Sequence, residues 1–308
     1  MRSLAYDDIA LVPEYFGGTS RSELSTAVKL GDHEFKLPVI PANMRCVINE
    51  DIAISLAKNG YFYVMHRFDV NAYAFTRRCI GERVISSISL GVQQADKDIV
   101  DAFVADDIHP DFITIDIAHG HCAMMCGMIK HIRRNLNSFV IAGNICTLNA
   151  YDDLSRWGAD AVKVGIGPGK ACTTRLKTGF YSPMFSTIQQ ISQHRWVYET
   201  PIIADGGIQH NGDIAKAMVA GADMVMVGGM FAQCVDSPAD FINGEKVYYG
   251  SASVENKGYN KNIEGKKVLI HNNGMTYREK LAEIEQDLQS SMSYAGGKVS
   301  TKTKYIEV

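Results

Sequence analysis

The segment Gly165-Ile-Gly-Pro-Gly-Lys-Ala-Cys172-Thr-Thr-Arg175 holds a thiol at the end of a glycine-rich turn. Glycines at 165, 167 and 169 let the backbone approach a ligand or cation closely, and a cysteine presented on such a loop acts as a nucleophile once its thiolate is stabilised. Lys170 and Arg175 bring positive charge into the same stretch. A tight turn with an incidental cysteine is the plainer alternative that spacing alone leaves open.

Two glycine pairs follow apolar runs further on, Asp205-Gly206-Gly207 and Gly228-Gly229. Glycine turns at strand ends aim N–H groups at an anion, which suits a phosphate, and Asp205 would then reach sugar hydroxyls. Either pair alone also serves as an ordinary turn. In the stretch Ile115-Asp116-Ile-Ala118-His119-Gly-His121, a carboxylate is placed to orient an amide-bearing cofactor or simply to end a strand. His66-Arg67 suits an anionic group or a solvated rim. Cys122 and Cys126 stand one helical turn apart, but no second Cys or His pair at ligand spacing follows, so ordinary cysteines are favoured over a metal site.

These residues need strands to carry them. Short apolar runs alternate with helical patterns, with strands expected at Val39–Ala42, Phe62–Met65, Val84–Leu90, Phe112–Asp116, Phe139–Ala142, Ala161–Val164, Ile202–Ala204 and Met224–Val227. An internal repeat relates Ile141-Ala-Gly-Asn-Ile leading to Gly158-Ala-Asp-Ala-Val-Lys-Val-Gly with Ile203-Ala-Asp-Gly-Gly-Ile leading to Gly221-Ala-Asp-Met-Val-Met-Val-Gly. Eight parallel strands with such duplication predict a single (β/α)8 TIM barrel spanning 1–308, more economically than an open doubly wound sheet. In that fold the residues just after each strand form the active site. The stretch from Glu245 to Gly274, rich in Gly, Asn, Lys and Tyr, reads as an active-site lid over about 245–275, long for a structureless loop. A C-terminal helix is expected at Tyr277–Ser291.

Composition narrows the function classes. The chain has 308 residues and a formal net charge of −3, so it lacks the basic field of a nucleic-acid binder. No apolar run approaches a membrane span, and the first residues lack a signal-peptide pattern, so a cytoplasmic (cytosolic) protein is expected. Seven cysteines without a secretory signal argue for reduced thiols.

With these motifs in view, the chain resembles the IMP dehydrogenase/GMP reductase family over essentially its full length, on the short bacterial-type reductase branch. The resemblance is carried by GPGKACTTR with Thr178-Gly179, and by IADGGI, MVGGMFA, DIAHG, Glu264-Gly265-Lys266 and the closing LQSSMSYAGG. It implies an NADPH-dependent oxidoreductase of purine salvage that converts GMP to IMP and ammonia. Cys172 would attack carbon 2 of guanine to give a covalent thioimidate, with Thr174 and Glu264 handling protons once the lid brings Glu264 in. Asp205, Gly206, Gly207, Gly228 and Gly229 match ribose and phosphate contacts, and Gly250 and Ser251 match a turn touching purine and cofactor. Asp116 and Ala118 match cofactor contacts, Arg67 is matched to the extra phosphate of NADPH, and Lys261 lies at a lid position facing the cofactor. Gly167, Gly169, Cys172 and Arg175 correspond to a potassium-binding turn, and homotetramers are typical of the family. Lys170 stands where members often have Ser, and Lys261 where animal members have Arg.

Three rivals were weighed. An IMP dehydrogenase would carry a regulatory domain after the second strand, where His66 to Val84 leaves room for a helix only, and a lid Arg-Tyr pair, whereas Tyr259-Asn-Lys-Asn lacks that Arg. A flavin-dependent oxidoreductase would use the same phosphate position. A non-catalytic nucleotide sensor would have no use for Cys172, Thr174 and Glu264 together.

Overall fold

The computed structural model describes residues 3–258 and 261–308. Tyr259 and Asn260, on which the missing lid Arg was read, lie outside the described residues. The chain opens with β1 (Ile9–Leu11) and a hairpin of β2 (Val28–Leu30) and β3 (His33–Phe35). Seven strands then form one sheet: β4 (Val39–Pro41), β5 (Ser87–Leu90), β6 (Phe112–Asp116), β7 (Phe139–Ile145), β8 (Ala161–Val164), β9 (Ile202–Asp205) and β10 (Met224–Val227). Their order is β4-β10-β9-β8-β7-β6-β5 and every neighbouring pair is parallel. The first strand of this sheet in chain order lies beside the last, so the sheet curls. A second, antiparallel sheet follows from β11 (Phe241–Ile242), β12 (Glu245–Tyr249) and β13 (Lys267–His271), and β14 (Tyr305–Glu307) returns to pair with β1.

Parallel strands covered on both faces read as continuous apolar runs, and β4, β5, β8 and β10 are buried at every residue. Helices run between them, and three of these start on a polar side-chain cap. Asn49 accepts the N–H of Ile52, Asn71 that of Ala74 and Thr147 that of Ala150, which satisfies donors the first helical turn leaves open.

The internal repeat has a physical basis in its Gly-Ala-Asp element. Gly158 and Gly221 end their helices in the left-handed region, at φ 111° and 109°. Two residues on, Asp160 and Asp223 turn back to the neighbouring strand, where Asp160 accepts the N–H of Val140 at 2.6 Å and Asp223 that of Ile202 at 2.8 Å. Each carboxylate also receives an arginine, Arg133 and Arg195 respectively. The motif therefore clamps a helix end to the start of the adjacent strand.

Three expectations are corrected. Phe62–Met65 is buried but is not a strand of the sheet: one main-chain bond, Met65 N–H to Ser87 O at 3.1 Å, ties it to β5. The reason lies in Tyr63, whose hydroxyl donates to Ile85 O at 2.7 Å and accepts from Ser87 N–H at 3.2 Å. A side chain thus takes the groups a ladder would have used, and Asp111 takes Ser86 N–H, so the strand expected from Val84 begins at Ser87. The segment after Gly244 is likewise not structureless. β12 and β13 pair from Glu245↔His271 to Tyr249↔Lys267, and a short helix, Val254–Lys257, lies between them.

A capping box of Thr276 and Glu279 opens the helix Tyr277–Tyr294, which runs beyond the expected Ser291 and buries Tyr277, Leu281, Ile284 and Leu288. Among the described residues no helix is long and apolar enough to cross a membrane.

The two clamps should differ in tolerance. A Cβ on Gly221 would lie 2.3 Å from Ser192 Oγ, whereas on Gly158 the nearest atom is the flexible Arg133 Cγ at 3.3 Å. In urea denaturation, Gly158→Ala is expected to cost about 1–2 kcal/mol from its backbone angle and Gly221→Ala about 1–3 kcal/mol more. Equal losses would show that Ser192 moves aside without strain.

Candidate active site

A cavity of about 550 Å³ opens at the carboxyl ends of the parallel strands, a size usual for small-molecule sites. Its position follows from the connections. Each strand ends in a loop before the next helix, so the loop residues converge there whatever their separation in sequence.

The Cys172 loop leaves β8 through Gly165, at φ 153°, where a Cβ would lie 2.0 Å from Asp205 O. Only glycine allows this approach, and it brings the thiol beside the end of β9. The Cys172 thiol donates to Thr174 Oγ1 at 3.2 Å, and the Thr174 hydroxyl donates to Glu264 Oε2 at 2.6 Å. Thiol, hydroxyl and carboxylate thus form one hydrogen-bonded chain facing the cavity. It is able to pass a proton from sulfur to carboxylate, which creates a nucleophile and loads an acid together.

Glu264 is already at the Thr174 hydroxyl in this structure. Main-chain bonds hold it: Thr173 N–H donates to Glu264 O at 2.6 Å, and Lys266 N–H to Ala171 O at 2.8 Å, which makes an antiparallel bridge between Cys172 and Gly265. Glu264 and Gly265 N–H both donate to Ala252 O at 3.1 Å. Lys177 Nζ adds a bond to Ile263 O at 2.6 Å. Gly250 and Gly265 make the crossing possible, since a Cβ on Gly265 would lie 2.8 Å from Ser253 N and one on Gly250 3.1 Å from Ala171 O.

The same cavity wall carries a charged cluster. Lys163 Nζ is 2.8 Å from Asp116 Oδ1 and 2.6 Å from Asp205 Oδ2. Burial works against each charge, yet the two carboxylates together raise the Lys163 ammonium above its ordinary range. Burial alone would push Asp116 up, but Lys163 and then Arg67 outweigh it and hold that carboxyl below the usual range. Asn144 Nδ2 donates to Asp205 Oδ2 at 2.9 Å and to Gly165 O at 2.8 Å. Its Oδ1 is buried on the cavity wall without a partner among the described residues, which marks a place for a ligand donor.

Most of the expected residues meet at this cavity. Cys172, Thr174, Glu264, Asp205, Gly206, Gly228, Gly250, Ser251, Arg67, Asp116, Ala118, Gly167 and Gly169 all line it. Gly207 lies just off the wall and faces Tyr6 and Met184, and Gly229 also lies off it. Lys261 is exposed and away from the wall. Arg175 stacks its guanidinium on Tyr181, 4.6 Å from the ring centre, and Lys170 is exposed, so the hydrogen-bond partner of the thiol is a hydroxyl and not either cation. His66 is brought down to about 4 by burial and then by Arg45. It is neutral at pH 7 and accepts Phe68 N–H, which leaves Arg67 as the cation of that pair. His119 is exposed off the cavity wall, and His121 pairs with Asp153 at 2.7 Å. Cys122 precedes the helix Ala123–Asn135 as its cap, and among the described residues no group of His, Cys, Asp or Glu is arranged to hold a metal.

Three wall residues were missed. Lys163 had a signal in the repeat, where the matching position of Gly221-Ala-Asp-Met-Val-Met-Val is Met226, so a lysine interrupts an otherwise apolar strand. Asn144 sits at the equivalent of Gly206 in the same alignment. Tyr248 lies on β12 with its hydroxyl where a Cβ on Gly228 would be, at 2.4 Å, and burial chiefly keeps it a phenol.

The chain matches the IMP dehydrogenase / GMP reductase domain over residues 3–304. A protein of Acidovorax sp. (strain JS42) named GMP reductase is 51% identical, across 97% of this chain and 93% of its own length. Similar relatives with that name come from Mesoplasma florum, 47% identical over 100% of this chain and 97% of the relative, and Streptococcus suis (strain 98HAH33), 50% identical over 98% and 93%. With a domain match over almost every residue and relatives of this identity end to end, the chain belongs to the IMP dehydrogenase/GMP reductase family.

Proposed function

We propose that the chain is a GMP reductase, which converts GMP, NADPH and two protons to IMP, NADP+ and ammonium. The observation that carries this reading is the Cys172–Thr174–Glu264 chain, closed at 3.2 and 2.6 Å, in a protein whose relatives bear that name. As the sulfur attacks carbon 2 of guanine, the thiol proton passes to Thr174 while the Thr174 proton passes to Glu264. The carboxylic acid so formed protonates the amino group, and the carbon–nitrogen bond breaks to release ammonia from a thioimidate on Cys172. NADPH, when bound, supplies the hydride that reduces that carbon. Collapse then breaks the carbon–sulfur bond and frees IMP.

The remaining groups bind and orient. Asp205 accepts from the ribose hydroxyls, and Gly206, Gly207, Gly228 and Gly229 bring main-chain N–H groups to the phosphate, with Gly206 at φ 98° and Gly207 at φ 82°. Gly250 and Ser251 cover the purine. Asp116, Ala118 and Arg67 face the cofactor, and the open carbonyl of Asn144 fits a donor from either ligand. Lys261, off the wall, is read as a cofactor contact from the lid stretch. The turn Gly167, Gly169, Cys172 and Arg175 is read as a potassium seat, because each carbonyl keeps a second lone pair even where one is used, as Gly169 O is by Cys172 N–H at 2.9 Å. No step is drawn through the ion.

The sheet is read as a closed (β/α)8 barrel in which Phe62–Met65 fills the eighth place, supported by the Met65 bond to β5 and by Asn43 Nδ2 of the loop after β4 reaching Ser89 Oγ at 3.2 Å. The 308 residues are read as one catalytic domain, assembled as a homotetramer.

Protein mixed with GMP and NADPH should consume the reduced cofactor, while IMP with NAD should give no signal; the reverse would make the chain a dehydrogenase. Cys172→Ala should abolish turnover and keep GMP binding, and surviving turnover would remove the covalent step. Glu264→Gln should lower kcat about 10²- to 10⁴-fold, with ammonia release slowed far more than hydride transfer. Equal slowing of both steps would count against its acid role.

A further inference from the structure

Lys163 is on β8, yet it reaches a carboxylate on β6, two strands away. The residue between them is Gly143 of β7, which stands opposite both Asp116 and Lys163 in the ladder. A Cβ on Gly143 would lie 2.6 Å from Lys163 Cβ. The row Asp116–Gly143–Lys163 thus leaves a gap through which the lysine crosses β7. On its other side the same ammonium meets Asp205 of β9. The lysine side chain is 3% exposed, while Asp116 and Asp205 are 14% and 21% exposed and open on the cavity. The charged end is therefore nearly buried at the cavity wall, held between two carboxylates that are more open to the cavity.

We propose that Lys163 is a positioning residue that serves the nucleotide and cofactor subsites at once, its one buried ammonium holding the carboxylates of Asp205 and Asp116 in place and charged. This rests on the reading above that Asp205 faces the sugar of GMP and Asp116 the cofactor. Two carboxylates that share a site repel, and without a cation between them one takes up a proton. A protonated carboxyl gives up part of its acceptor capacity toward hydroxyl donors. The other groups bearing on the pair do not replace the lysine. Arg67 acts on Asp116 from the rim. Tyr6 and Tyr248 act on Asp205 as neutral phenols, both raised chiefly by burial, and Asp213 adds a negative charge beside Tyr6.

The test uses Lys163→Met, the residue found at the matching position of the repeat. Calorimetry of GMP binding without cofactor should show the variant weaker than the wild type by about 10- to 100-fold near pH 6, the worth of a hydrogen bond to a charged group, and the ratio of the two cancels the titration of the GMP phosphate itself. The variant should regain affinity as pH rises and the shared proton leaves. Its KM for both ligands should rise more than its kcat falls. In Lys163→Met/Asp116→Asn the lone Asp205 has no carboxylate neighbour, so the pH dependence of GMP binding should return to that of the wild type. A variant-to-wild-type ratio for Lys163→Met that does not change with pH, or a loss of less than about threefold, would overturn the proposal.

Should the single variant fail to fold, carboxyl-carbon NMR of the unliganded wild type decides, with resonances assigned through Asp116→Asn and Asp205→Asn. The Asp116 carboxyl should titrate below the ordinary carboxylate range, and protonation of it at or above that range overturns the proposal. Charged carboxylates in a protein that does not turn over GMP would instead sink the functional reading and leave the lysine's role standing.

Discussion

The main-chain pairing between the Cys172 loop and the strand entering β13 is the contact on which the site depends. Thr173 N–H to Glu264 O and Lys266 N–H to Ala171 O are ordinary ladder bonds. They set the distance between a nucleophile and an acid that the sequence separates by most of two βα units and a flap. Side-chain hydrogen bonds alone would leave Glu264 with several rotamers and a mobile backbone, and the entropy of ordering it would fall on each catalytic cycle. With the backbone already paired, the carboxylate has only its own torsions to settle.

That pairing sets conditions on its surroundings. Two chain segments crossing at contact distance need residues without side chains, which places glycine at 250 and 265. The cysteine loop must also turn sharply off β8, which Gly165 permits by lying against Asp205 O. The turn from Gly250 to Asn256 is fastened by Asn256, which donates to the carbonyls of Gly250 and Ser251. At the far end of the flap, buried Lys246 donates to the carbonyls of Val235, Ser237 and Ala239, and so ties β12 to the segment leaving the helix Gly229–Ala232. Lys246 and Asn256 both fasten the stretch expected as a lid, which carries two paired strands.

Sequence reasoning was strongest where a local pattern has a local cause. Strands β6, β8 and β10 have the expected limits because each is a short, almost wholly buried run, apolar but for Thr114 and Asp116 in β6 and Lys163 in β8. Phe62–Met65 has the same apolar pattern and fails as a strand because a tyrosine hydroxyl from within it occupies the edge of β5, a tertiary event with no local signature. Cys172 stands out through its glycine-rich loop, whereas Thr174 and Glu264 entered only through resemblance, since no periodicity ties Glu264 to that loop. Lys163 reads as part of a repeat until its partner position is compared. The lysine and arginine near Cys172 show the opposite error: proximity in sequence suggested charge at the thiol, whereas chain direction sends Arg175 to Tyr181.

Gly143 shows how a site can rest on something missing. It touches no ligand in this reading and offers no functional group, yet its bare α-carbon is the passage by which a cation on one strand serves an anion two strands away. In a saturation library, such a position would score as intolerant as the nucleophile itself, and a survey of chemistry-bearing side chains would pass over it.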